Sequence, residues 1–189
     1  MDKHRTQIPD HAIAPIGLNH IVLNVCDIER SHIFWTEILG FEQVGELHSK
    51  KNRPTPPNMR FYSGRNNGDI NHHDLALVEV PEKVDVDLKP GQPGLNHIAI
   101  TWPNRKSWLL QLSFMQSRGV EFIRRTNHGV THSVYIADPD GNGVEVLYEL
   151  PKELWQENID ASLNYSENLP INGKEALIDR EENPTFKRI

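Results

Sequence analysis

Gly17-Leu18-Asn19-His20-Ile21-Val22-Leu23 recurs as Gly94-Leu95-Asn96-His97-Ile98-Ala99-Ile100, with Gly-Leu-Asn-His identical in both copies. Each copy alternates as a β-strand does: Ile21, Leu23 and Val25 oppose His20, Val22 and Asn24, and Ile98 and Ile100 oppose His97 and Ala99. The two histidines therefore stand on the less bulky face of equivalent strands. A helical pattern follows each strand. Asp27 is placed to cap a helix whose apolar positions are Ile28, Trp35, Ile38 and Leu39, with Gly40 to end it. Asn104 is placed to cap a second, carrying Trp108, Leu109, Leu112 and Met115 and ended by Gly119. Strand-like runs come next, at 41–47, 60–62 and 74–80 in the first copy and at 120–124, 133–137 and 144–150 in the second.

The pattern predicts an α+β chain of two βαβββ modules forming a curved mixed sheet around a central metal cleft. The modules fall at 17–88 and 94–150, after an N-terminal extension at 1–16. A Pro- and Gly-rich link at 89–94 joins them. Residues 151–189 read as a short helix around Leu154 and Trp155 and then a polar tail, expected to be peripheral or to dock on a neighbouring subunit, which together with exposed sheet edges points to a homo-oligomer.

The composition narrows the function. The 189 residues hold 20 Lys and Arg against 26 Asp and Glu, and a net charge of −6 disfavours the basic surface that nucleic-acid binders need. No apolar run approaches the roughly 18 residues of a membrane span. Cys26 is the only cysteine, which precludes an intrachain disulfide, and it is expected to be a buried apolar residue. The polar start at residues 1–5 lacks a secretory pattern, so the expected compartment is the cytoplasm.

Glu145 lies between Val144 and Val146 and opposes both on a strand, a position where a carboxylate is costly unless it is paired or bound to a cation. With His20 and His97 it makes two imidazoles and one carboxylate, the donor set that leaves open positions on non-haem Fe(II); Mn(II) accepts the same donors. The run Asp138-Pro139-Asp140-Gly141-Asn142-Gly143, with Glu149, satisfies the EF-hand calcium-loop pattern, but its flanks are strand-like rather than helical, so it reads as a tight turn.

With these motifs the chain resembles the vicinal oxygen chelate superfamily over about residues 17–150. Its members build a metal site from paired βαβββ modules and include glyoxalases, fosfomycin-resistance proteins and extradiol catechol dioxygenases. The resemblance is greatest to the small one-domain type I extradiol dioxygenases that open 2,3-dihydroxybiphenyl. It is carried by the segment at 94–99, by His72-His73-Asp74-Leu75-Ala76, by His128-Gly129-Val130-Thr131-His132, and by Tyr135 to Asn142 with Glu145. The resemblance implies that His20, His97 and Glu145 hold Fe(II), that His73 lies beside the dioxygen site, that His128 acts as acid and base, and that Tyr135 bonds a substrate oxygen. The partners so implied are a small aromatic diol and O2. His32, His48, His72 and His132 are left as surface or supporting residues.

Two other readings stay open on the residues alone. A glyoxalase-like lyase or isomerase would call on Glu79 as a fourth ligand, but six strand residues at about 3.3 Å each separate it from His73. A non-catalytic small-molecule binding protein would use the same cleft without the metal triad.

Overall fold

The computed structural model describes residues 11–12, 14–52, 54–66, 69–80 and 94–188. The inter-module link, all but its last residue, and most of the N-terminal extension lie outside them. Strand β1 (Ile21–Val25) leads into helix α1 (Ile28–Ile33), which widens into a π-helical turn at Phe34–Ile38. Strands β2 (Glu42–Glu46) and β3 (Met59–Ser63), a small hairpin of β4 (Arg65–Asn66) and β5 (Asp69–Ile70), and β6 (Leu75–Glu79) follow. The order then repeats as β7 (His97–Thr101), α2 (Arg105–Ser117), β8 (Arg124–Asn127), β9 (Thr131–Ala137) and β10 (Gly143–Glu149). Helix α3 (Ile159–Leu163) and strand β11 (Glu167–Asn168) complete the elements beyond the second repeat, with single 3-10 turns around them.

This is a mixed α+β fold. Four strands form one sheet in the order β1-β6-β3-β2 and five form another in the order β11-β8-β9-β10-β7. In each, the opening strand pairs in parallel with the last strand of its repeat, β1 with β6 and β7 with β10. A parallel pair needs a crossover, and α1 and α2 begin the two crossovers. Both helices start on the predicted caps: Asp27 accepts from the Arg30 N–H and Asn104 from the Ser107 N–H. Gly40 and Gly119 end the helical segments at φ 78° and 77°, a conformation that favours glycine. The apolar faces meet in one core, with Trp35, Leu75 and Leu77 from the first repeat and Trp108, Leu112, Val134 and Val146 from the second. Burying each of these large side chains contributes about 1.5–3 kcal/mol.

Asp140, in the turn that formally matches a calcium loop, joins the repeats. Strands β9 and β10 flank that turn, and Asp138 accepts from the backbone N–H groups of Asp140 and Asn142. Asp140 then reaches α1, accepting from Arg30 at 2.7 Å and from the Cys26 N–H at 3.3 Å. Gln111 on α2 adds a hydrogen bond to the Ile38 carbonyl.

Three expectations need correction. Residues 120–123 are not a strand; β8 begins at Arg124 and its buried residues are Arg125, Thr126 and Asn127. The tail docks on its own chain. Asp179 enters beside α2 and accepts from Arg125, His132, Tyr148 and Arg105, so His132 is a buried residue at 2% exposure. Cys26 is half-buried, at the turn where Asp140 docks. No helix among the described residues is long and apolar enough to cross a membrane.

Burial pushes the Asp179 carboxyl up, but the bonds from His132 and Tyr148 and the charge of Arg125 outweigh it and hold the group below the usual carboxylate range. Its folded value lies under the unfolded one, so its contribution is present above about pH 4 and fades as pH falls through the folded value. Asp179→Ala leaves Arg125 buried without its carboxylate and is expected to cost about 3–5 kcal/mol in urea unfolding at neutral pH. The loss should shrink in acid. A variant as stable as the parent at pH 7 would show that the tail does not anchor the second sheet.

Candidate active site

Register brings the site together on the second sheet. In the parallel pair β7–β10, His97 lies opposite Gly143 and Ala99 opposite Glu145, so His97 and Glu145 emerge on one face. A Cβ on Gly143 would stand 2.5 Å from the Asn96 carbonyl oxygen and 3.1 Å from His97 Cβ. Only glycine lets β10 lie this close beneath the histidine.

Glu145 is 6% exposed, and its two oxygens face different groups. Oε2 lies 3.0 Å from His97 Nε2, and Oε1 accepts the Tyr135 hydroxyl at 2.8 Å. Tyr135 spends its one hydrogen on Glu145, so its 2.9 Å contact with His128 is one in which Nε2–H donates to the tyrosine oxygen. A line of hydrogen bonds therefore runs from His128 through Tyr135 to Glu145. Burial, with the neighbouring carboxylate, pushes the Tyr135 phenol up to about 12. Burial also holds His128 below the usual imidazole range, against the pull of Glu145. At neutral pH the phenol keeps its proton and the imidazole is uncharged.

The first repeat makes a second cluster. His20, just before β1, stands with its ring 4.3 Å from that of His73, which packs edge-on against Phe61. Asp74 fixes the loop carrying His72 and His73 by accepting from Ser63, the Gly64 N–H and Asn71. Burial, then His20 and His72, holds His73 below its usual value. Between the repeats lies a cleft of about 650 Å³, lined by His20, Trp35, Phe41 and Asp74 on one side and Ile98, Ala99 and Trp102 on the other.

The structure thus brings together His97, Glu145, Tyr135 and His128, and separately His20 and His73. Among the described residues no three His, Cys, Asp or Glu side chains are gathered around a single point that could hold a metal ion. The donor chemistry nevertheless fits one. His20 Nδ1 lies 2.7 Å from Asn19 Oδ1, and His97 Nδ1 lies 2.7 Å from Asn96 Oδ1. A carbonyl oxygen only accepts, so both rings carry their hydrogen on Nδ1 and present Nε2 as the coordinating nitrogen. With Nδ1–H committed, a cation is what suits the gap between His97 Nε2 and Glu145 Oε2. Glu79 is not available: its oxygens accept from the Ile28 N–H and from Asn58, at the far end of β6 from His73.

Sequence reasoning gave no role to the two asparagines, although their repetition beside each histidine was the available signal. Arg124 also went unassigned, because only strand register places it beside Tyr135. Replacing Asn96 with Ala should free the His97 tautomer, seen as loss of the Nδ1–H preference in 15N NMR of the metal-free protein, and should weaken Mn(II) binding about 10- to 100-fold. Unchanged tautomer and affinity would show the asparagine to be incidental.

The sequence profile of the Glyoxalase/Bleomycin resistance protein/Dioxygenase superfamily matches residues 17–146. A catechol-2,3-dioxygenase of Bacillus subtilis is 29% identical over 139 residues, covering 74% of this chain and 44% of the relative. Biphenyl-2,3-diol 1,2-dioxygenase 2 of Rhodococcus globerulus is 37% identical over 127 residues, covering 67% of this chain and 60% of the relative. The chain thus spans about half the length of these relatives. The crystal structure of a glyoxylase/bleomycin resistance protein/dioxygenase domain from Frankia sp. EAN1pec superimposes with a TM-score of 0.57 at 16% identity, covering 72% of this chain and 100% of that one, a likeness of fold alone.

Proposed function

Because the chain belongs to the glyoxalase/bleomycin resistance protein/dioxygenase superfamily, we propose that it is an extradiol dioxygenase, opening a catechol with O2 at an Fe(II) centre held by His20, His97 and Glu145. The observation that carries this reading is the hydrogen-bonded line from His128 through Tyr135 to Glu145, beside His97. An isomerase or lyase of this fold has no evident use for it. Fe(II) bound there would supply open positions at which diol and O2 meet in a productive orientation.

The chain's own residues handle the protons. Ring opening keeps every atom of the diol and of O2 in the product, so a proton taken from the diol has to be returned. The Tyr135 hydroxyl, protonated across the working range, is a donor for a phenolate oxygen that takes the place of the Glu145 contact. His128 stands behind it: uncharged at pH 7, its Nδ1 can take up the proton the diol loses, and the resulting imidazolium passes its Nε2 proton to the tyrosine oxygen as Tyr135 gives up its own, which leaves the imidazole neutral again. His73, kept below its usual value beside His20, is a second uncharged imidazole, carried by the first repeat, and stabilises anionic oxygen by hydrogen bonding.

Anaerobic reconstitution with Fe(II), followed by catechol and then air, is expected to give a yellow ring-opened product. His128→Gln should lower kcat about 100-fold or more at unchanged iron content. A colourless mixture with the diol unconsumed would contradict the reading.

A further inference from the structure

Antiparallel register sets Arg124 opposite Tyr135 on β8–β9 and Tyr135 opposite Glu145 on β9–β10. The three side chains therefore leave the sheet as one row, on one face, with neighbours about 4.8 Å apart. The Arg124 guanidinium lies 3.9 Å from the centre of the Tyr135 ring. Its charge is felt by both Tyr135 and His128.

Arg124 is exposed and makes no ion pair among the described residues, whereas Arg30, Arg60, Arg65, Arg105, Arg125 and Arg180 all do. The carboxylate in its own row accepts from Tyr135 and faces the coordinating nitrogen of His97. The outer end of the row thus presents a planar cation, fixed by stacking, with no anion assigned to it. Stacking on a ring removes much of the freedom that an arginine otherwise loses on binding. A wholly apolar substituent placed there would strip water from that charge without replacing it, which is costly. A carboxylate would match it with two parallel hydrogen bonds.

Resting on the dioxygenase reading, we propose that the diol carries a short carboxylate arm and that Arg124 is the residue that selects it. Arg124 and Glu145 are two strands apart, roughly 10 Å between backbones. An aromatic ring next to Tyr135 with an arm of about one to three carbons spans that interval.

The test compares 3,4-dihydroxyphenylacetate with 4-methylcatechol on the Fe(II)-loaded protein and its Arg124→Gln and Arg124→Lys variants. The parent should favour the carboxylated diol in kcat/KM. Arg124→Gln should lower the ratio of the two kcat/KM values about 10- to 100-fold, mainly through KM, as expected for loss of a charge-assisted contact. Arg124→Lys should recover part of it. A ratio unmoved by Arg124→Gln, with both diols slowed alike, would make Arg124 a prop for Tyr135 and overturn the proposal. If the parent cleaves neither diol nor catechol itself, the dioxygenase reading fails, and anaerobic calorimetry with the same pair still decides the role of Arg124. Tighter binding of the carboxylated diol that Arg124→Gln abolishes supports the proposal, and equal binding overturns it.

Discussion

A carboxylate withdrawn from water has to be compensated, and the second repeat is organised around that requirement at Glu145. One oxygen faces His97 and the other takes the Tyr135 hydroxyl, with His128 behind the tyrosine. Compensation by a phenol at one oxygen, with the other turned toward an imidazole nitrogen rather than a lysine or arginine, has a chemical consequence. The carboxylate stays a donor atom for a cation, and its hydrogen-bond partner stays a source of a proton. The high phenol and low imidazole ionisations follow from the same burial.

The opposite face of the same sheet solves the same problem differently. Alternation along the strands sends Arg124, Tyr135 and Glu145 one way and Arg125, His132 and Tyr148 the other, where Asp179 from the tail completes a closed network. There the carboxylate is surrounded by two arginines, a histidine and a tyrosine, and nothing is left to react. One face is thus a structural lock and the other is open to chemistry. The lock also stiffens β8, β9 and β10, the three strands that carry the row.

What could be read from the chain in advance were the features set by local physics. The repeated strand, the caps Asp27 and Asn104, the ending glycines and the inward position of Glu145 all follow from periodicity or from backbone preference. What escaped depended on distant partners. Arg125 fell just outside the expected strand at 120–124 because its compensating carboxylate lies more than 50 residues away, and for the same reason the tail read as peripheral. Asp140 looked like a calcium ligand or a turn residue, whereas it fastens the turn to α1. At the site, the residue types were legible and their grouping was not. His97, Glu145, Tyr135 and His128 share one sheet and so are gathered by register, while His20 and His73 belong to the other and depend on how the repeats meet.

The central claim is that a bound metal ion draws an imidazole from each repeat onto one centre with Glu145. The most direct measurement is X-ray absorption at the iron edge on the Fe(II)-loaded protein and its His20→Ala variant. The account predicts two coordinated imidazoles in the parent and one in the variant. An identical imidazole count in both would contradict it, because His20 would then take no part in the centre.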